Sequence, residues 1–105
     1  MDTDLTRTSE LTPVAPLQQV LTALADPVRL EMVRRMAADE DLTVACSLLY
    51  DGISKSTASH HFKTLREAGV IQRVVEDGHT HQRLRRDDVE AAYPGVLASI
   101  VDAAR

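Results

Sequence analysis

The chain has one cysteine, Cys46, no tryptophan, and only Tyr50, Phe62 and Tyr93 as aromatic residues. A single thiol excludes an internal disulfide, and four histidines without a cysteine pair do not supply a structural zinc framework. So few rings also exclude a base-stacking surface for single-stranded nucleic acid. No apolar run approaches the roughly 18 residues that would span a bilayer. The opening MDTDLTRTSELTP lacks the basic-then-apolar order of a secretion signal. A cytoplasmic location without a membrane partner is therefore expected. Also missing are a glycine-rich phosphate loop, an H-E-x-x-H pair and a nucleophile with a base at workable helical spacing; the adjacent Ser59 and His60 point about 100° apart on a helix. Neither catalysis nor a cofactor is expected.

What is there is enough for one small domain with a modest core, 105 residues with 44% hydrophobic content. Its net charge of −4 conceals a polarity along the chain. Residues 54–86 carry 7 basic and 3 acidic side chains, whereas residues 1–53 carry 4 and 9 and residues 87–105 carry 1 and 4. A basic middle between acidic flanks is either a solvated surface or an electrostatic footprint, and the faces of the elements decide which.

Residues 1–14 are polar and aperiodic and read as a flexible arm, leaving residues 15–105 as the folded domain. Leu17, Val20, Leu21 and Leu24 form one apolar stripe on a first helix. Asp26 supplies an N-cap and Pro27 a first helical position for a second helix through Val28, Leu30, Val33, Met36 and Ala37. TVACSLLY predicts a third, short helix, stopped by Asp51-Gly52. Ser54 caps a fourth, over about Lys55 to Ala68, with Gly69 placed to end it. On a helical wheel its polar arc holds Ser56, Ser59, His60, Lys63, Arg66 and Glu67, and its apolar arc Ala58, His61, Phe62, Leu65 and Ala68. His61 thus reads as a packed, hydrogen-bonded histidine.

VIQRVV and THQRLR then predict a hairpin around Asp77-Gly78, with His81, Arg83 and Arg85 on one face and Gln82 and Leu84 on the other. Asp87 is expected to cap a final helical region, re-aimed at Pro94-Gly95, after which Leu97, Ile100, Val101 and Ala104 form a second apolar stripe. The fold class is mainly α with a β-hairpin: a single winged helix-turn-helix domain. A helix with short polar residues flanked by long cationic ones suits the major groove of double-stranded DNA. Ser56, Ser59 and His60 are candidate base readers, Lys55, Lys63 and Arg66 candidate phosphate or guanine contacts, and Arg73, Arg83 and Arg85 candidate wing contacts. The two stripes, Leu17, Val20, Leu21 and Leu24 with Leu97, Ile100, Val101 and Ala104, are too much apolar surface for so small a domain to hide. They predict a homodimer through the terminal helices.

The segments ALADPVRLEMVRRM and ISKSTASHHFKTLREAGVIQRVVEDGHTHQRLR resemble the second helix and the recognition helix plus wing of the ArsR family of bacterial regulators. The similarity spans about residues 16–100, and its most specific part is SHHFKTLREAG. The resemblance implies a dimeric repressor that binds an imperfect palindrome and is released by an effector. It places His61 at the position of the family's structural histidine.

The chain departs from that family's metal sensors. Where they carry E-L-C-V-C-D-L, this chain has DLTVACSLL, with Thr43 and Ala45 at the thiolate positions, and VLASIVDAAR offers only Asp102 for the alternative site. No metal site is expected, since His79 and His81 alone give two ligands of a surface chelate. Cys46 is either a buried inert thiol or a redox or electrophile sensor. The alternative to operator binding is a winged-helix protein-interaction module whose acidic flanks face a protein partner.

Overall fold

The computed structural model describes residues 11–104. Helix α1, Leu17–Leu24, buries Val20, Ala23 and Leu24 and leaves Leu17 and Leu21 exposed. Its apolar stripe therefore divides between two environments. Helix α2, Pro27–Ala37, starts as expected: the Asp26 carboxylate accepts from the N–H groups of Val28 at 2.8 Å and Arg29 at 3.1 Å. Such a cap is worth about 1 kcal/mol. Met32, Val33 and Met36 of this helix are fully buried and form the centre of the core.

The segment expected as a third helix is instead a strand, β1 (Thr43–Ala45), followed by one turn of 3-10 helix, Cys46–Leu48. The reason is tertiary. Thr43, Val44 and Ala45 pair with Arg83, Gln82 and His81, and the Leu84 N–H donates to the Leu42 carbonyl at 2.8 Å. A short apolar run has no decisive period of its own, so the partner strand decides its form.

Helix α3, Lys55–Glu67, is capped by Ser54, whose Oγ accepts from the Thr57 N–H at 3.0 Å. Ala58, Phe62 and Leu65 are its buried face. It ends at Gly69, which has a φ of 77°; a Cβ there would lie 2.6 Å from the Pro13 carbonyl oxygen. Glycine is thus needed twice, for the turn and for the close approach.

Strands β2 (Ile71–Glu76) and β3 (His79–Leu84) meet at Asp77-Gly78, both at positive φ as a two-residue I′ turn requires. The hairpin is part of a three-stranded antiparallel sheet of order β1-β3-β2. Gln82 and Leu84 face inward.

Helix α4, Arg86–Ala92, carries Asp87 in its first turn, with Arg85 rather than Asp87 at the N-cap position and no side-chain cap. Asp87 and Asp88 there oppose the positive end of the helix dipole, which is the stabilisation they supply in place of a cap. After the break at Pro94-Gly95, α5 (Val96–Ala104) buries Leu97 and packs on α2 and α4. Its start is held by Glu90, which accepts from the N–H groups of Gly95 at 2.8 Å and Ala98 at 3.1 Å. Those hydrogen bonds lower the Glu90 pKa.

Of the arm expected over residues 1–14, residues 1–10 lie outside the described residues. Residues 11–14 run across Gly69 and into α1 as a strap. The Ala15 N–H donates to the Ala68 carbonyl at 3.0 Å, the Tyr93 hydroxyl donates to the Ala15 carbonyl at 2.6 Å, and Arg85 donates to the Thr12 carbonyl.

Candidate nucleic-acid interface

Two sets of contacts aim α3. From behind, Arg29 donates from Nη1 to His61 Nδ1 at 3.0 Å and from Nε to the Ala23 carbonyl at 2.6 Å. A guanidinium only donates, so Nδ1 accepts and the neutral ring carries its proton on Nε2. The His61 side chain is 12% exposed, in keeping with its place on the apolar arc. Burial raises the pKa of the nearby Asp26, yet the backbone N–H groups of Arg29 and Val28 and the charge of Arg29 together bring it below the ordinary value.

The second set holds the turn that enters α3. Glu31 binds Arg34 at 2.7 Å and Arg35 at 2.8 Å, and Arg35 donates onward to the Leu48 carbonyl at 3.0 Å and to Asp51 at 2.9 Å. Hydrogen bonds from Arg34 and Arg35 draw the Glu31 pKa down to about 2. The Glu31-Arg34-Arg35 spacing is visible in the sequence; the reach of Arg35 to Asp51 is not.

The outward side of α3 presents Lys55, Ser56, Ser59, His60 and Lys63, all exposed, with Arg66 half-buried at the edge. The charge balance separates this side from the rest. Arg34, Arg35, Arg85 and Arg86 each have a carboxylate within 4 Å, in Glu31, Asp51, Asp88 and Asp87. Among the described residues Lys55, Lys63, Arg66, Arg73 and Arg83 have none, and all five lie on α3 or the hairpin; Arg29 of α2 has none either, but its guanidinium is turned inward onto the Ala23 carbonyl and His61.

The wing arginines do not act as one group. Arg73 is paired with Gln82 and so shares its sheet face, towards α3. Arg83 lies on the opposite face, donating to Thr43 Oγ1 at 3.0 Å. Arg85, expected beside Arg83 on the outer face, is turned into the chain instead: its side chain is 8% exposed, binding Asp88 at 3.1 Å and the strap carbonyl of Thr12. Strand β3 ends at Leu84, so the alternation that linked Arg83 to Arg85 no longer applies.

Of the two apolar stripes, Val20, Leu24 and Leu97 belong to the chain's own core, at 0%, 3% and 1% exposure. That corrects their expected place in a subunit interface. Leu17 and Leu21 are exposed, and Ile100, Val101 and Ala104 are half-buried.

His79 is exposed on the hairpin, and His81 Nδ1 lies 3.1 Å from the His79 carbonyl, to which it donates. Among the described residues no three histidine, cysteine or carboxylate side chains gather as a metal-binding group. Cys46 is half-buried at the start of the 3-10 turn, and its Sγ accepts from Gln82 Nε2 at 3.4 Å. Gln82 was legible only as an inward-facing polar residue beside Leu84. Its Oε1 is buried and has no hydrogen-bond partner among the described residues. An amide oxygen left so costs about 1–3 kcal/mol.

This order of helices and sheet, with an exposed cationic helix beside a hairpin, defines a winged helix-turn-helix protein. A helix-turn-helix domain family matches residues 24–74. Over 84 residues the chain is 33% identical to YceK, an uncharacterized HTH-type transcriptional regulator of Bacillus subtilis (strain 168), covering 78% of this chain and 83% of that protein. The structure of an ArsR family transcriptional regulator aligns with a TM-score of 0.62 at 19% identity, over 79% of this chain and 90% of that one. That of the transcriptional repressor BigR from Xylella fastidiosa aligns with a TM-score of 0.62 at 22% identity, over 95% and 87%. The chain belongs to the helix-turn-helix family of transcriptional regulators, with the fold of ArsR-family members. That family consists of regulators, not enzymes.

Proposed function

We propose that the chain regulates transcription as a homodimeric repressor that lays α3 in the major groove of an imperfect palindrome and is released by a signal. The observation that carries this reading is the segregation of charge: among the described residues the cations without carboxylate partners are those of α3 and the hairpin together with Arg29, whose guanidinium is turned inward onto the Ala23 carbonyl and His61, while Arg34, Arg35, Arg85 and Arg86 are paired with carboxylates. Unneutralised cations bind phosphates by releasing counterions, and exposed short side chains between them can approach base edges. Ser56, Ser59 and His60 read bases in this account; Lys55, Lys63 and Arg66 hold phosphates, with Arg73 and Arg83 on the two sides of the wing. The site of action is the cytoplasm.

The dimer seam uses Leu17 and Leu21 of α1 with Ile100, Val101 and Ala104 of α5. A two-fold between them sets the recognition helices about 34 Å apart, one turn of B-DNA. Cys46 is one route for a signal, since oxidation by a peroxide, which transfers one oxygen to Sγ and leaves as water, would give a sulfenic acid and alter the contact to Gln82 that joins the 3-10 turn to β3. The test is selection of bound duplexes from a random library, followed by a salt titration on the selected sequence. A recurrent palindrome and a log K that falls steeply with log salt support the reading. No enriched sequence and a flat salt response would instead make the chain a protein-interaction module.

A further inference from the structure

A cleft of about 690 Å³ opens between α3, the 3-10 turn and the hairpin. Its volume is within the range of about 300–1,000 Å³ typical of small-molecule sites. Two different chemistries meet in it. Along one part run Lys55, Arg66 and Arg73, none with a carboxylate partner among the described residues. Elsewhere in its lining Tyr50 and Phe62 stand edge to face with centroids 6.3 Å apart, and Gln82 contributes its buried amide, with Oε1 unpartnered among the described residues. None of the residues lining the cleft is acidic.

A DNA backbone matches only the cationic part. Phosphate and sugar-ether oxygens accept hydrogen bonds and cannot satisfy an amide oxygen, and they gain nothing from an aromatic wall. An occupant that matches the whole cleft is planar and apolar in its body, anionic at one end, and carries an O–H or N–H donor at the other.

We propose that this cleft binds a small aromatic carboxylate bearing a hydrogen-bond donor. The anion lies among Lys55, Arg66 and Arg73, the ring lies against Tyr50 and Phe62, and the donor reaches Gln82 Oε1. The inference rests on the DNA-binding reading in one respect: Lys55, Ser59, Arg66 and Arg73 line the cleft and also belong to the DNA face. Ligand and operator then exclude each other directly, and release needs no change of fold. The mode is competition at the recognition helix, with no distant sensor required.

Three fluorescent probes separate the parts on the full chain without DNA: 6-hydroxy-2-naphthoate, 2-naphthoate, which lacks the donor, and 2-naphthol, which lacks the anion. The hydroxy acid is expected to bind at least about tenfold more tightly than either of the others, a difference of one good interaction. Gln82→Leu should erase its advantage over 2-naphthoate, and Arg73→Gln should weaken both acids while leaving 2-naphthol unchanged. Equal affinity for all three, or no binding at millimolar concentration, overturns the site; so does an unaltered ranking in a folded Gln82→Leu protein.

Duplex binding is measured separately. At a probe concentration ten times its Kd, operator affinity should fall about tenfold per site, and Lys63→Ala, which lies outside the cleft, should weaken DNA without touching the probe. Probe binding with no DNA binding at all would remove the DNA reading and leave the ligand site standing. Probe and DNA bound together without mutual effect would overturn the competition.

Discussion

Arg29 Nη1 lies 3.0 Å from His61 Nδ1, and this contact joins the first turn of α2 to the middle of α3. The same guanidinium donates to the Ala23 carbonyl, so one side chain ties α1, α2 and α3 together. Removing either partner leaves the other with an unmet group at a partly buried site. Arg29→Met and His61→Leu should each destabilise by about 1–3 kcal/mol in urea melts. The double variant should lose clearly less than the two losses combined. Strict additivity would mean the contact carries no coupling between the helices.

Glu31 gives the fold a specific acid sensitivity. Its folded pKa of about 2 is below the ordinary 4.5, so the folded state binds its proton less readily than the unfolded state does. The contribution is therefore complete above about pH 5 and is lost as pH falls from there towards 2. Because the side chain is 39% exposed, solvent screening reduces it to about 1 kcal/mol or less. Glu31→Gln should be less stable than the wild type at pH 7, with the gap closing between pH 5 and 2. A gap independent of pH would assign the loss to packing instead.

The parts of this structure that could be read from sequence are those decided within a few residues. Asp26, Ser54 and Gly69 act on their own neighbours, Asp77-Gly78 sets its own turn, and the two arcs of α3 follow from helical period alone. What could not be read depends on partners far along the chain. Residues 43–45 are a strand because β3 lies beside them, about 40 residues later. Arg85 points inward because the Thr12 carbonyl, 73 residues earlier, is there to meet it. The stripe of α1 has one period but two destinations, with Val20 in the core and Leu21 outside. Periodicity marks a residue as apolar-facing without saying whether its own chain or another covers it.

On the recognition helix, side chains with different tasks should fail differently. Lys63 is exposed and without an ion-pair partner among the described residues. Lys63→Ala should lower affinity for all duplexes and reduce the salt slope by about one unit. Ser59→Ala and His60→Ala should instead relax the preference at one or two base pairs. Binding selections with each variant check this, and an equal loss of specificity from all three would mean that the helix enters the groove on another face.

Arg83 and Arg85 are two residues apart but have different surroundings, Thr43 for the first and Asp88 with the Thr12 carbonyl for the second. Arg85→Ala removes both the Asp88 pair and the hydrogen bond to the Thr12 carbonyl, and should cost about 1–2 kcal/mol of stability. DNA affinity of the folded fraction should change little. Arg83→Ala should show the reverse, near-normal melting with weaker DNA binding. An Arg85→Ala protein of unchanged stability that no longer binds DNA would return this residue to the wing surface.

The terminal helices allow the interface to be separated from the core. Leu21 is 43% exposed, so Leu21→Asp puts its charge into solvent in a lone subunit and meets a desolvation penalty only at a seam, where a two-fold repeats it. Leu97 is 1% exposed, and Leu97→Asp buries an unpaired carboxylate inside each subunit whatever its partner does. Leu21→Asp should therefore give folded monomers with a normal helical spectrum, which bind half-sites weakly. Leu97→Asp should lose about 4 kcal/mol or more and fail to fold cooperatively. Sedimentation velocity and thermal melts distinguish the two outcomes. A Leu21→Asp protein that remains a dimer at micromolar concentration would move the seam away from α1 and leave the outward part of α5, Ile100, Val101 and Ala104, to form it alone.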